Sequence, residues 1–184
     1  MAVKEFNIER VGQRAERKML VTVAEWMGVT GTGTTPEPIR EILGTRTEDS
    51  SIDYNADISQ STDIRGNNYT DVNKTQPQQD FDPYLILGGS KLGALLNDIR
   101  SRNALSELDQ FTIYVITMFV DGTTTGTYQA EKHVDCTIAY NSIGGDTNVN
   151  FPISVYLSNK ITRGYVNKIA EDFAFTGDLT LYDA

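Results

Sequence analysis

The order of apolar and polar residues along the chain predicts mostly β-strands. A near-continuous apolar and β-branched run over residues 111–121 is typical of a central strand buried on both faces. Residues 18–29 predict a first strand of similar character. Alternation over residues 127–140, and again over residues 149–157, predicts two strands with one apolar face each, because successive side chains point to opposite sides of a strand.

One segment, residues 90–105, has the period of an amphipathic helix. Its apolar residues recur at helical spacing and form one stripe, made of Leu92, Leu95, Leu96 and Ile99. Ser90 follows two glycines and is a suitable N-cap. Many antiparallel strands with one such helix predict a mainly β fold, which is an antiparallel β-sandwich or barrel-like fold with one flanking α-helix.

Residues 50–66, SSIDYNADISQSTDIRG, alternate as a strand does, with one mostly apolar face and one largely anionic face. The anionic face contains Asp53, Asp57 and Asp63. Residues four apart on one strand face lie about 13 Å from each other at ~3.3 Å per residue. The two carboxylates of a glycosidase lie roughly 5 to 9.5 Å apart, so these acids predict an acidic surface rather than a catalytic pair. A Ca²⁺ site that also uses loop acids is an alternative.

Polar segments predict extended arms and loops around a single domain that spans residues 1–184. Tyr69 and Val72, in the longest loop, are expected to continue a hairpin with the preceding strand. The polar segments are a charged N-terminal arm (1–17), a loop rich in Gly, Thr and Pro (30–38), and a long loop or hairpin poor in core residues (67–83).

The net charge of the chain and its distribution limit the kinds of partner that the protein can bind. The 184 residues include 25 acids and 16 bases, and the formal net charge of −9 argues against a general affinity for nucleic acid or anionic membranes. Residues 1–20 carry five bases and three acids, a net charge of +2, whereas residues 50–82 carry six acids and two bases, a net charge of −4. Attraction between these regions in neighbouring copies and simple solvation are both consistent with this pattern.

The sequence contains no feature that directs it to a membrane or to an oxidising compartment. Its single cysteine excludes an intrachain disulfide framework. The N-terminal MAVKEFNIERV has charges where a signal peptide needs an apolar core, and no apolar run approaches the ~18 residues of a membrane span. We therefore expect synthesis and assembly in a cytoplasm, without a membrane partner.

Apart from the alternative Ca²⁺ site at the acids of residues 50–66, no combination of residues predicts an enzyme, a cofactor site or a metal site. His133 lies on the polar face of the strand over residues 127–140 and is expected to be solvated, whereas Cys136 on the apolar face is expected to be a buried thiol. On opposite faces, the two side chains cannot act as base and nucleophile. GGSKLG, residues 88–93, lacks the spacing of a phosphate-binding P-loop, and helix capping explains it better.

The order of these features resembles a known family. The chain begins with a basic arm, a strand and a Gly/Pro loop, and then contains the segments SSIDYNADISQSTDIRG and QPQQDFDPY. After these come the helix and a run of antiparallel strands. The C-terminal pattern is an apolar strand, a turn, RGYV and a short final strand ending in TGDL. In this arrangement, which covers nearly the whole chain, the sequence resembles the tail tube proteins (major tail proteins) of long-tailed bacteriophages and prophages.

The resemblance implies a non-enzymatic structural protein of the virion, made and assembled in the host bacterial cytoplasm. It implies that six copies close into a ring and that rings stack around a tape-measure protein into a tube, which also meets tail terminator and distal tail proteins. DNA would pass through the lumen without specific binding, because an anionic wall repels phosphates. By this analogy, the lumen-lining residues are Asp53, Asp57, Asp63, Glu131 and Asp135. The inter-subunit arm residues are Arg10, Arg14, Arg17 and Lys18.

Three other classes of protein could have a similar composition. A carbohydrate- or receptor-binding β-sandwich module of a tail or an adhesin needs clustered, exposed aromatic side chains. Tyr54, Tyr128 and Tyr140 instead fall on predicted core-facing positions, which leaves Tyr69, Tyr84 and Trp26. A small-ligand barrel needs an apolar interior and regular up-and-down strands, and a glycosidase needs a close carboxylate pair.

Overall fold

The computed structural model describes residues 14–16, 19–28, 38–44, 47, 50–121 and 126–167. These ranges contain ten strands, one α-helix and a short 3-10 helix at Leu105–Glu107. The helix, α1, spans Lys91–Arg102. The strands are β1 (Leu20–Trp26), β2 (Ile39–Ile42), β3 (Ile52–Asp53), β4 (Asp57–Thr62), β5 (Asn68–Lys74), β6 (Gln78–Phe81), β7 (Phe111–Asp121), β8 (Thr127–Tyr140), β9 (Ile153–Tyr156) and β10 (Ile161–Asn167).

Eight of these strands form one antiparallel sheet in the order β2-β1-β7-β8-β9-β6-β3, with β10 paired to β8 outside this path. β4 and β5 form a separate two-stranded sheet. The fold is therefore mainly antiparallel β with a single α-helix in the described part of the chain, as predicted.

Strand β8 belongs to two halves of the large sheet. Its first half pairs with β7 and β10, and its last four residues pair with β9. Between these halves, Ile113 lies opposite His133 and Phe111 lies opposite Cys136, so β8 has one residue more than β7 over this interval. Asp135 in the bulge has a φ of 56°, and such bulges bend and twist a strand. The bulge is where β8 passes from one half of the sheet to the other.

The main core lies between the two halves of the sheet and α1. It contains Phe111 and Ile113 from β7, Ile153 and Val155 from β9, and Leu96 from α1, all at most 1% exposed. The apolar stripe predicted for the helix is buried in this core, and Ser90 is its N-cap, where its Oγ accepts from the Gly93 N–H at 2.9 Å. The helix therefore flanks the sheet by closing one side of the core.

A second apolar cluster covers the opposite face of β1, β7 and β8. It consists of Val21, Val23, Tyr114, Ile116, Ala130 and Val166. Because side chains on both faces of β7 are buried, its sequence shows no alternation, as predicted for a central strand. At the border of the cluster, buried Glu25 accepts hydrogen bonds from Arg40 Nε and from the Tyr114 hydroxyl. Burial and the charge of Glu25 raise the pKa of Tyr114 to about 12.

The prediction of one continuous strand over residues 50–66 is wrong. The chain leaves the sheet after Asp53, turns at Asn55, which has a φ of 45°, and starts β4 at Asp57. β3 pairs with β6, whereas β4 pairs only with β5. Alternation in this segment does not reflect one buried and one exposed face, because every residue of β4 is exposed.

Candidate functional site

The β4–β5 hairpin is the most exposed element of the described structure. Ile58 lies directly opposite Val72, and these apolar side chains are 56% and 63% exposed. Tyr69, on the other face of β5, and Ile64, in the turn, are also exposed. Two-stranded hairpins are at best marginally stable in water without a third strand or a packing partner. This hairpin therefore presents a set of apolar side chains that its own fold does not bury.

The turn of the hairpin is built around the carboxylate of Asp63. Its Oδ1 accepts from the backbone N–H groups of Arg65 and Asn67 at 2.8 and 2.9 Å. Its Oδ2 accepts from the Asn67 side chain and from the Tyr69 hydroxyl at 3.0 and 3.1 Å. The bonds from Asn67 lower the pKa of Asp63 most. Asp63 thus has a structural role in this turn.

Two hydrogen bonds close the base of the hairpin. The Gln76 N–H donates to the Tyr54 carbonyl at 2.9 Å, and the Asn55 side chain donates to the Gln76 carbonyl at 3.1 Å. These bonds join the two ends of the hairpin where it leaves β3 and enters β6. The two ends of the hairpin are therefore held together at its base, although β4 is exposed along its whole length.

The structure does not bring Asp53, Asp57 and Asp63 together on one strand face. Asp53 lies on β3 opposite Gln78, Asp57 lies at the irregular start of β4, and Asp63 lies in the hairpin turn. The geometric basis on which they were grouped is wrong because the chain changes sheets between β3 and β4. Their proposed place in a lumen stays a prediction.

Glu131 and Asp135 each have a cationic partner. Glu131 Oε1 accepts from Arg163 Nε at 3.0 Å, and its Oε2 lies 3.8 Å from His133 Nε2. The His133 and Arg163 side chains lower the pKa of Glu131 to about 2. Asp135 pairs with Lys160. With its lowered pKa, Glu131 is ionised at neutral pH, and the cationic partners of both carboxylates reduce the negative field that they project into solvent.

Two acidic residues lie together on the outer face of β3, β6 and β9, which is the face opposite the main core. Asp53 and Asp80 are exposed there, and Gln78 between them donates to Asp80 at 2.9 Å. The register places Tyr156 and Ser154 of β9 on the same face. Asp80 was not predicted from the sequence as a residue of this face. Its position next to the apolar Phe81 in an alternating segment could have indicated that it faces outward. The five residues of this face, Asp53, Gln78, Asp80, Ser154 and Tyr156, include two carboxylates and no lysine or arginine.

Of the predicted arm residues, the structure describes only one. Arg14 lies in the described residues and is exposed. Arg10, Arg17 and Lys18 lie outside the described residues, as does nearly all of the predicted loop 30–38. Their role between subunits stays a prediction.

His133 and Cys136 are both buried, and the prediction that His133 is solvated is wrong. His133 is 3% exposed. The bulge also places both residues on the core side of β8, opposite Ile113 and Phe111, rather than on opposite faces. The Cys136 thiol contacts backbone groups, the His133 carbonyl and the Ser158 N–H. Burial raises its pKa, so the thiol is a neutral core group, as predicted.

Other kinds of site have less support in the described residues. No group of three or more His, Cys, Asp or Glu side chains in these ranges is placed to hold a metal ion. No helix in the same ranges has both the length and the apolar character needed to cross a membrane. Tyr54 is 60% exposed, so its predicted core-facing position is wrong, whereas Tyr128 and Tyr140 are partly buried.

No protein-family model and no curated protein matches the chain. Among solved structures, the chain is similar to a chain in a six-fold symmetrised cryo-EM structure of the anti-feeding prophage baseplate. The TM-score is 0.43 and the identity 10%, over 83% of this chain and 97% of that chain. This similarity is too low to assign a fold or a function.

Proposed function

We propose that this chain is a non-enzymatic structural subunit of a phage-type tail, in which copies of the chain form rings that stack into a tube. The observation that supports this proposal best is the exposed β4–β5 hairpin. Apolar pairs such as Ile58 and Val72 are expected to be buried against another protein surface, since large exposed apolar side chains clustered on one element mark interaction sites.

Backbone groups support the same proposal. Among the described strands, β4 and β5 pair only with each other, so each has one edge without a strand partner. Such edges are templates for pairing with another chain. Closed symmetry, such as a ring, would satisfy edges and apolar side chains without open-ended aggregation. The resemblance in the sequence suggests six copies in each ring.

The acidic outer face of β3 and β6 suits the wall of a DNA conduit. Asp53 and Asp80 would repel the phosphate backbone, whereas a wall of Lys and Arg would bind it in a salt-dependent way. Among the acids of the predicted lumen, Asp53 and Asp57 suit this role better than Glu131 and Asp135, which have cationic partners. A tape-measure protein would occupy the lumen before DNA, and terminator and distal tail proteins would cap the tube in the virion.

The proposal is tested by the assembly state of the purified chain. Wild-type protein should form rings or tubes at high concentration in negative-stain electron microscopy and light scattering. The double variant Ile58→Asn/Val72→Asn should remain folded and unassembled, because both positions are exposed in the subunit. Leu105→Asn, which changes an exposed apolar residue outside the hairpin, is the matched control and should assemble normally. A folded wild-type protein that stays monomeric at millimolar concentration would rule the proposal out.

The conduit is tested by reversing charge on the outer face. Asp53→Lys/Asp80→Lys tubes should assemble and retain double-stranded DNA at low salt, releasing it as salt rises. Lys substitution at Asp63 is unsuitable, since that carboxylate holds the hairpin turn. Assembled variant tubes that bind no more DNA than wild type would show that this face does not line the lumen.

A second candidate is a carbohydrate- or receptor-binding module, which the exposed Tyr54 and Tyr69 favour. Aromatic rings exposed near polar side chains are suited to stacking on a sugar. A monomeric wild-type protein that binds a glycan on an array, and loses binding in Tyr54→Ala, would support this candidate against the tube.

A further inference from the structure

The imidazole of His133 is held in a defined orientation at the bulge of β8. It belongs to the only histidine in the sequence. Its Nδ1 lies 2.9 Å from the Ser158 carbonyl oxygen. A carbonyl oxygen can only accept, so Nδ1 must carry the hydrogen. In the neutral ring, Nε2 would then have no hydrogen and could act only as an acceptor.

This second nitrogen lacks the partner that a neutral ring requires. Nε2 is buried and has no hydrogen-bond partner among the described residues. The Oε2 atom of Glu131 lies 3.8 Å away, and a carboxylate also only accepts. A neutral ring therefore directs a lone pair toward a negative group in a buried site. A proton on Nε2 would replace this unfavourable contact with an attractive, charge-assisted one.

The surrounding charges leave Glu131 as the group that acts on the ring. Arg163 of β10 is a further cation, but it pairs with Glu131 and is largely exposed. Asp135, in the bulge, and Lys160, in the β9–β10 turn, pair with each other in solvent. Across the strands, β7 and β10 present the apolar Ile113 and Ile161 opposite His133. Two further titratable groups are nearby: the Cys136 thiol, kept neutral by burial, and the buried Tyr165 of β10, which lies opposite Gln129.

The ring also lies where the turn between β9 and β10 contacts the bulge of β8. The turn between β9 and β10 holds the bulge through several bonds besides that to His133. Ser158 Oγ donates to the Val134 carbonyl, the Ser158 N–H donates to Cys136 Sγ, and the Val134 N–H donates to the Lys160 carbonyl at 3.2 Å. Because β8 changes between sheet halves here, these bonds set the junction of the two halves.

We propose that His133 is a proton-dependent latch at this junction, in which the protonated ring joins the Ser158 carbonyl to the Glu131 carboxylate. Loss of the proton leaves the Nε2 lone pair facing the Glu131 carboxylate, and this unfavourable contact destabilises the junction while Nδ1 still donates to the Ser158 carbonyl. The inference is independent of the proposed tail function.

The direction of the pH effect follows from linkage. A proton bound more tightly by the folded chain stabilises the fold fully below the ordinary histidine titration at about pH 6.5, and this stabilisation is lost as pH rises. For a folded chain that binds the proton about ten times more tightly than the unfolded chain, the unfolding equilibrium constant of the wild type should rise about fivefold between pH 5.5 and 7.5. The Glu131 carboxylate, with a pKa of about 2, stays ionised throughout this window.

The test is urea unfolding at several pH values between 5.5 and 7.5. His133→Asn keeps a donor near the position of Nδ1 and cannot take up a proton, so its unfolding should lose the pH dependence. Glu131→Gln should lose it as well, whereas the matched control Arg163→Gln, which keeps the carboxylate, should retain it. Wild-type and His133→Asn profiles that run parallel would overturn the latch.

A second measurement covers the case in which His133→Asn does not fold. Because the chain has one histidine, ¹⁵N NMR of the wild-type imidazole gives a single pair of ring signals. Both nitrogens should carry hydrogen at pH 6.0, and Nδ1 should keep its hydrogen when Nε2 loses it. A ring that is neutral at pH 6.0, or a neutral form at higher pH that carries its single hydrogen on Nε2, would refute the proposal.

Discussion

The hydroxyl of Thr22 donates a hydrogen bond to the side-chain oxygen of Gln79 at 2.8 Å across the interior of the molecule. Thr22 lies on β1 and Gln79 on β6, and three strands separate these two in the order of the sheet. The contact therefore closes the curled sheet on itself. Gln79 is fully buried, so this bond satisfies a polar group that water cannot reach.

Removing both partners of this bond should cost less than the sum of the costs of removing each one alone. Thr22→Val leaves the Gln79 oxygen buried without its donor, which should lower the free energy of unfolding by about 1–3 kcal/mol. In Thr22→Val/Gln79→Leu both polar groups are gone and the loss should be smaller than the sum of the single changes. Urea unfolding of the four proteins measures this difference. Additive costs would show that the bond does not couple the two strands.

The carboxylate of Glu41 on β2 should prove important for docking of the helix. It accepts from Ser90 Oγ, the Leu92 N–H and the Tyr84 hydroxyl at 2.8, 3.0 and 3.0 Å. Glu41→Gln should destabilise the protein by about 1–3 kcal/mol in thermal or chemical unfolding, because it removes charge-assisted bonds at the positive end of α1.

Ser90→Ala provides the comparison for the Glu41 prediction. It removes the N-cap oxygen that serves the Gly93 N–H and should cost about 1 kcal/mol. Equal stability of Glu41→Gln and wild type would show that helix docking depends on apolar packing alone.

The interactions of Glu131 with Arg163 and His133 should make the free energy of unfolding depend on pH in the acidic range. The pKa of Glu131 in the folded chain is about 2, below its ordinary value of 4.5. Its contribution is therefore present above about pH 4.5 and lost as pH falls toward 2. Wild type should exceed Glu131→Gln in stability by about 1–2 kcal/mol at pH 6, allowing for the exposure of Arg163. The two unfolding curves should converge near pH 2; a constant difference would contradict the assignment.

The Asp63 carboxylate should determine whether the hairpin is ordered in the free subunit. In Asp63→Ala the turn loses four accepted hydrogen bonds, and NMR should show loss of amide protection at Arg65 and Asn67. Because the pKa of Asp63 is lowered from 3.8, order should persist above pH 4 and decline as the group is protonated in acid. Asp71→Ala, on exposed β5, is the control and should leave the turn unchanged. Unaltered protection in Asp63→Ala would refute this role.

Sequence periodicity succeeded where an element meets one continuous environment. The stripe of α1 and the apolar run of β7 each report a burial pattern that holds over the whole element. It failed for residues 50–66, where a regular alternation was taken for a single strand. The break at Asn55 and the exposure of all of β4 depend on which strands pair with β3 and β4. The local sequence does not indicate which strands these partners are.

The candidate site divides in the same way. The sequence by itself determined the mainly β class, the flanking helix and its cap, and the excess of acids over residues 50–82, because these follow from local propensity, spacing and charge. Only the tertiary structure decided that Asp80 shares a face with Asp53, that Ile58 and Val72 are exposed together, and that His133 is buried beside Glu131. Each of these depends on strand register and on one bulge in β8, which are set by contacts between residues far apart in the chain.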